Sequence, residues 1–398
     1  MSGEPITTVS VIAGLADSDG GPSVVLPSLS EALAKRGVLR YLIVPAEREG
    51  IAQCVPDKSL VNTIFVRGFR LRMIGLALAP YFRRTLVQCC EQNNVQLIHC
   101  HGVWMPVNHE AACVARDLNI PFIVTLDGML RPWALRYKSW KKRIAWLLYQ
   151  NRDLHVAKVL HATAFEEAAE IRSMGFNQPI AVIPNGTMLP PPQVSRAHEE
   201  YRYALFLGRI CPAKGLINLV KAWAKLKPKG WRCLITGPSE GVYEKLIRRV
   251  IKKEGLDNCF EFSGLVDGVA KWQLIKNAAF LVLPSVTENF GIVVAESLAC
   301  RTPVIATKAT PWEDLVLENC GWWVDGDSAS LGKAMSEAMA MSGRQRHGMG
   351  ERGERLVRSK YSWDRVAEQM HSVYEWMLDK KDAIPSCLHF SGKDDKCR

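Results

Sequence analysis

The stretch LVLPSVTENFGIVVAESLACRTPVIA, Leu281 to Ala306, decides how the rest of the chain is read. It opens on an apolar run ending at Pro284, short enough for a buried strand. A polar loop, Ser285 to Asn289, follows. Apolar residues then recur at Phe290, Val293, Val294 and Leu298, which is helical spacing. A second short apolar run, Pro303 to Ala306, closes the unit. Strand, loop, helix and strand in that order make a βαβ crossover, and ligands collect at the carboxyl ends of such strands. Glu288 lies in the loop, and Glu296 is read onto the helix face away from the apolar stripe. Gly291 lets a ligand come close to the helix N-terminus, whose free amides donate to phosphate or hydroxyl oxygens.

Working back from this unit, LFLGRICPAKG (Leu205 to Gly215) is a strand that runs into a loop carrying Arg209 and Lys214. Arg offers a planar fork to phosphate oxygens and Lys a point charge, so an anionic leaving group fits there. Strands are expected at 203–207, 232–236, 260–263, 280–283 and 303–306. Helices are expected near 215–227, 240–254, 267–277, 290–300 and 328–341, with terminal helices over 342–360 and 362–378. The first half alternates in the same way. Strands are read at 8–13, 39–44, 95–100, 121–126, 158–162 and 181–183, and helices at 24–36, 80–93, 108–118 and 165–174. Such alternation predicts mostly parallel sheets with helices on both faces. Thr187 to Glu200, with Pro190, Pro191 and Pro192, reads as a linker between two α/β halves. Two halves of this kind imply a cleft, where ligands sit.

The 398 residues suffice for two such domains, and the composition is that of a globular protein. The start of the chain lacks a signal-peptide pattern, and no run reaches the ~18 apolar residues of a membrane span. The twelve cysteines are scattered without zinc spacing, so reduced thiols and a cytoplasmic setting are expected. A net charge of +11, from 51 bases and 40 acids, calls for an anionic partner. No nucleic-acid recognition module is present, so nucleic acid is not expected. The densest cluster is RPWALRYKSWKK, Arg131 to Lys142, followed by Arg143. Trp133, Tyr137 and Trp140 lie between its cations, with no acid in the run. It reads either as a solvated helix with inward aromatics or as a patch for anionic lipid or a lipid-diphosphate acceptor.

Taken together, five motifs resemble retaining glycosyltransferases of family 4 with the GT-B fold. They are GGPS (Gly20 to Ser23), HGVW (His101 to Trp104), IPNG (Ile183 to Gly186), G-R-x4-K-G at Gly208 and E-x7-E from Glu288 to Glu296. They stand in family order, and the resemblance covers residues 1 to about 378. It implies an α/β, GT-B architecture of two Rossmann-like domains facing each other across a cleft. The boundaries expected are 1–190 on the acceptor side, 191–361 for the nucleotide-sugar, a helix at 362–378 packing back on the first domain and a disordered tail at 379–398.

The same resemblance implies transfer of a hexose from a UDP- or GDP-sugar to a glycan or lipid-linked acceptor in envelope polysaccharide synthesis, in the manner of lipopolysaccharide and exopolysaccharide enzymes. Metal and resident cofactor are not expected. The enzyme would be cytoplasmic, peripheral at the inner face of the plasma membrane where it meets anionic lipid. Arg209, Lys214 and the amides of Gly20 and Gly21 would neutralise the leaving diphosphate. Glu288, Asn289, Phe290 and Gly291 would hold the donor sugar, Glu296 the ribose, and Gly237 and Val266 would complete the donor site. His101, at a strand end, would lie near the sugar. Asp127, in TLDGML, stands where many members carry His, so it orients the acceptor hydroxyl, accepts its proton or caps a turn. A nucleotide-sugar epimerase and a non-catalytic nucleotide-sugar-binding subunit are the competing readings.

Overall fold

The computed structural model describes residues 5–16, 21–46, 54–71, 76–136, 139–195, 202–239 and 241–392. The chain folds as two compact units, one of 1–185 with 363–398 and one of 186–362.

The first unit contains β1 (Thr7–Ile12), α1 (Gly21–Lys35), β2 (Leu39–Ala46), β3 (Val61–Arg67), β4 (Phe69–Leu71), β5 (Leu76–Leu78), α2 (Phe82–Gln92), β6 (Leu97–His101) and α3 (Pro106–Asp117). It continues with β7 (Phe122–Thr125), α4 (Pro132–Arg136), α5 (Ser139–Ala145), a π turn (Trp146–Gln150), α6 (Asn151–Val156), β8 (Val159–Ala162), α7 (Phe165–Ser173) and β9 (Ile180–Val182). The second unit runs β10 (Tyr203–Leu207), α8 (Leu216–Leu226), β11 (Arg232–Thr236), α9 (Val242–Lys253), β12 (Phe260–Gly264), α10 (Gly268–Asn277) and β13 (Phe280–Leu283). It then adds α11 (Ile292–Ala299), β14 (Val304–Thr307), α12 (Asp314–Leu317), β15 (Gly321–Val324), α13 (Ser328–Ala340) and α14 (Gly343–Leu356). Finally α15 (Trp363–Met377) and β16 (Leu388–His389) return to the first unit.

Each unit is built on one large sheet. The first has the order β16-β9-β8-β7-β6-β1-β2-β3, parallel except where β16 joins β9 antiparallel. The second has the order β12-β11-β10-β13-β14-β15, all parallel. In a sheet covered on both faces, strands need apolar residues at every position rather than alternate ones. β13 meets this need, β14 does so up to Thr307, and β1 is buried throughout although Thr7, Thr8 and Ser10 are polar. Helices follow the 3.6-residue period. In α8 the buried positions are Leu216, Leu219, Val220, Ala222 and Trp223. Ends are closed locally. Asp327 accepts from the amides of Ala329 and Ser330 at 2.8 and 3.0 Å, and Ser342 forms a reciprocal capping box with Gln345.

Several elements differ from the sequence reading. β3, β4, β5 and β15 are additional strands. α1 begins at Gly21 rather than Val24. The tail expected to be disordered carries β16, and Cys387 and Leu388 are buried in the core that α15 makes with α1.

A polar layer crosses the first sheet. Arg40 is 3% exposed, and its terminal guanidinium nitrogens bond hydroxyls alone, while its Nε is buried without a partner. It donates to Thr8 Oγ1 at 2.9 Å, Ser10 Oγ at 2.6 Å, Ser30 Oγ at 3.2 Å and Tyr374 Oη at 3.3 Å. The remaining bonds can be given a direction, because a carbonyl only accepts. His161 must donate from Nε2 to the Ile183 carbonyl at 2.8 Å. Its Nδ1 then accepts from Thr125 Oγ1 at 2.7 Å. Thr125 in turn accepts from His99 Nε2 at 2.7 Å, which leaves His99 Nδ1 to accept from the Tyr374 hydroxyl at 2.6 Å. Both rings are neutral in this arrangement. Burial, the largest cause, pushes the His99 pKa well below its usual range and that of His161 to about 4.

Tyr374 therefore satisfies two buried partners from α15. Tyr374→Phe should cost ~1–3 kcal/mol, the penalty for leaving buried polar groups unpaired. Denaturant unfolding measures this, and a loss below ~0.5 kcal/mol would contradict the directed chain.

Candidate functional site

In the second sheet the chain leaves β10 for β11 and β12 on one side, then crosses to β13 on the other. The order therefore reverses between β10 and β13. A crevice opens at the carboxyl ends of strands at such a reversal, and ligands bind there. The loops after both strands carry the charged motif residues. The loop after β10 makes a short 3-10 turn, Pro212–Lys214, and ends at Gly215 with φ 64°. A Cβ at Gly215 would lie 2.0 Å from the Pro284 carbonyl oxygen. Only glycine lets this turn lie flat on the end of β13, where Val286 N also donates to the Ala213 carbonyl at 2.8 Å.

That docking brings Lys214 to Glu288. The Lys214 ammonium donates to Glu288 Oε2, and Ser285 Oγ donates to the same oxygen at 3.3 Å. Both charged side chains are mostly buried, 20% and 15% exposed. Gly291, at φ 78°, starts α11 with room for little else, since a Cβ would stand 3.2 Å from Glu288 Cγ and 3.1 Å from Leu283 Cδ2. Phe290 is buried, and its carbonyl accepts from Trp312 Nε1 at 2.6 Å. Asn289 is half-buried beside it.

Glu296 is not on a solvated face. Seven of the eight residues of α11 are buried, Glu296 among them. Its Oε1 accepts from Lys271 Nζ of α10 at 2.5 Å. Burial raises the Glu296 pKa, and the Lys271 charge pulls it back. Arg209 is exposed just past β10. Gly237 ends β11, with its amide donating to the Gly264 carbonyl at 2.8 Å. Val266 is half-buried in the loop after β12. Arg209, Lys214, Gly237, Val266 and the loop 288–291 thus follow the carboxyl ends of neighbouring parallel strands, while Glu296 and Lys271 lie on α11 and α10.

The first sheet reverses between β1 and β6. Gly21 opens α1 after β1, while Gly20 lies outside the described residues. His101 ends β6, 4% exposed, with its ring 4.0 Å from that of His99 in a stack. Its Nε2 is buried without a hydrogen-bond partner. Burial, then the Arg40 charge, pushes its pKa well below the usual range, so the imidazole is neutral. Asp127 follows β7 in the left-handed conformation, φ 48°, which Asp tolerates. Burial and the neighbouring Glu167 raise its pKa to about 7. Glu167 holds this turn by accepting from Gly128 N at 2.5 Å and Thr163 N at 2.8 Å.

Two partners escaped the sequence reading, Lys271 and Glu167, because each lies on a different element from its motif. The basic run also differs. Arg131 pairs with Glu170 of α7 at 3.1 Å, and Trp133 and Trp140 face outward, 53% and 63% exposed. Tyr137 and Lys138 lie outside the described residues. Among the described residues no three His, Cys, Asp or Glu converge as metal ligands, and no helix is long and apolar enough to cross a membrane.

Residues 192–356 match the family model described as glycosyl transferases group 1, and residues 20–186 match the glycosyl transferase 4-like domain. The chain is 25% identical to a D-inositol 3-phosphate glycosyltransferase of Corynebacterium jeikeium, over 89% of this chain and 91% of that one. It is 25% identical to the lipopolysaccharide 1,2-N-acetylglucosaminetransferase of Salmonella typhimurium, over 50% of this chain and 58% of that one. Its fold is similar to Anabaena HepE, solved in complex with UDP and glucose, at TM-score 0.72, 18% identity, and 93% and 100% coverage. With both halves matched and two Rossmann-like sheets in the GT-B manner, the chain belongs to the GT4-type glycosyltransferases.

Proposed function

We propose that the protein moves a hexose, with retention, from a UDP- or GDP-sugar to a glycan or lipid-linked acceptor used in envelope polysaccharide synthesis. The observation that carries this reading is the pair of ion pairs at one strand reversal, Lys214 with Glu288 and Lys271 with Glu296. Without ligand each carboxylate holds an ammonium. An entering diphosphate takes over Lys214 and frees Glu288 for the hydroxyls of the sugar. Arg209 adds a second cation. Glu296, held by Lys271, accepts from the ribose hydroxyls. The named lipopolysaccharide relative and the UDP and glucose in HepE agree with such a donor and acceptor.

In the reaction the acceptor oxygen attacks the anomeric carbon on the face the leaving group departs from. The carbon–phosphate oxygen bond breaks as the new glycosidic bond forms. The acceptor proton passes to the departing diphosphate, whose growing charge Lys214 and Arg209 stabilise. Asp127 orients the acceptor hydroxyl, and neutral His101 offers a ring nitrogen to the sugar. The outward aromatic and basic run supports attachment of the enzyme to an anionic membrane surface.

Incubation with UDP- and GDP-sugars, with and without an acceptor extract, should release one nucleoside diphosphate in an acceptor-dependent way. Lys214→Ala should lower that release by at least ~100-fold while the protein stays folded. Near-normal turnover would remove Lys214 from the mechanism. Glu296→Gln should raise the donor KM and leave kcat within a few-fold. A collapse of kcat at saturating donor would instead give Glu296 a part in the chemical step. Because Asp127 works ionised and has a pKa near 7, kcat/KM should climb through neutral pH and level off above it. Asp127→Asn should flatten that limb, and an unchanged limb would assign it to another group.

A further inference from the structure

A cavity of about 610 Å³ opens in the first unit, and neither His101 nor Asp127 lines it. Its apolar wall is made by Trp104, Leu135, Trp146, Leu147 and Met174. Its cations are Arg136, Lys142 and Arg143, and no carboxylate lines it. The volume falls within the ~300–1,000 Å³ of small-molecule sites. It would hold roughly twenty water-sized groups, enough for about a dozen carbons and a small head.

The pocket owes its form to the π turn after α5. The turn directs Trp146 inward, with its ring 6.2 Å from Trp104 and 6.0 Å from Phe176. It leaves Leu147 and Leu148 in water, 84% and 70% exposed. Adjacent leucines this exposed form an apolar lip that water does not favour. The turn also clamps Trp104. Gln150 Oε1 accepts from Trp104 N at 2.6 Å, and Tyr149 Oη donates to the Trp104 carbonyl at 2.7 Å. Trp104 is held at φ 78°, a left-handed conformation that a bulky residue adopts only when its surroundings enforce it.

Trp104 lies three residues after His101, and its Nε1 donates to the carbonyl of Met129, two residues after Asp127. One wall of the pocket is therefore part of the loops that follow β6 and β7.

We infer that this pocket takes the apolar chain of a lipid phosphate, with the phosphate or diphosphate on Arg136 and Arg143, so that the lipid is the carrier of the acceptor. The inference rests on the transferase reading for the acceptor role, but chain binding itself does not. Charge selects this occupant. A neutral lipid would leave Arg136 and Arg143 without counter-charge, and a free phosphate would leave the apolar wall and the two leucines in water. Lys142 keeps its place over the Trp104 ring, 5.6 Å from the centroid, and adds positive potential.

The test is titration of the full chain with dodecyl phosphate below its micelle concentration, read by tryptophan fluorescence, beside dodecanol and inorganic pyrophosphate. Dodecyl phosphate should bind at one saturable site, at least ~tenfold tighter than either control. Shortening the chain should weaken binding about fourfold per methylene. Arg136→Gln with Arg143→Gln should erase the preference over dodecanol. Met174→Trp, which fills the cavity, should weaken dodecyl phosphate at least ~tenfold, and Leu147→Asp, at an exposed position, should do the same without touching the core. Pyrophosphate binding as tightly as dodecyl phosphate, unsaturable adsorption, or equal binding by all the variants would overturn the inference. UDP and GDP titrations of the same samples separate the two readings. Binding of either nucleotide without dodecyl phosphate binding removes the pocket's role alone, and dodecyl phosphate binding without binding of either nucleotide removes the proposed nucleotide-sugar donor alone.

Discussion

Two charges that leave water must find each other, and that constraint organises the second unit. Lys214 and Glu288 come from different loops, 74 residues apart, and meet only because Gly215 lets one loop rest on the end of the next strand. Removing either partner leaves an uncompensated, mostly buried charge, which is costly. The same constraint makes binding an exchange. A diphosphate brings its own negative charge to Lys214, so no bare ammonium has to be kept ready in a site of low dielectric. Lys271 and Glu296 repeat the device one helix away.

The first unit solves a different problem. Its sheet buries Arg40 and three histidines, and it does so without a carboxylate among Arg40's partners. Hydroxyls from one strand and two helices take protons of the two terminal guanidinium nitrogens, and the directed bonds from Tyr374 to Ile183 fix both tautomers. His101 stacks on that layer, and its own ring nitrogen is left unused. The pocket beside the π turn is attached to the same strand ends through Trp104.

Much of this was legible in the sequence. The parallel α/β character followed from short apolar runs such as FLVL alternating with helical spacing, and the motif glycines marked the strand ends. What was illegible depended on neighbours distant in the chain. Glu296 looked solvated because helical spacing gives one apolar stripe, whereas α11 is enclosed on almost every side and its acid is covered by Lys271. Arg131 looked unpaired within its run because Glu170 lies 39 residues away. β16, two residues long, exists only through pairing with β9. β15, with its adjacent Trp322 and Trp323, carries no alternation that a short window could detect.

The central claim is that the strand reversal in the second unit is a nucleoside diphosphate site. Thermal unfolding of the full chain with UDP, GDP, UMP, GMP and inorganic phosphate tests it most directly, since a ligand bound only to the folded state raises the midpoint with concentration. The account predicts a concentration-dependent rise with UDP or GDP, a smaller one with the matching monophosphate and none with phosphate at equal ionic strength. No shift with either diphosphate, or an equal shift with phosphate alone, would contradict it.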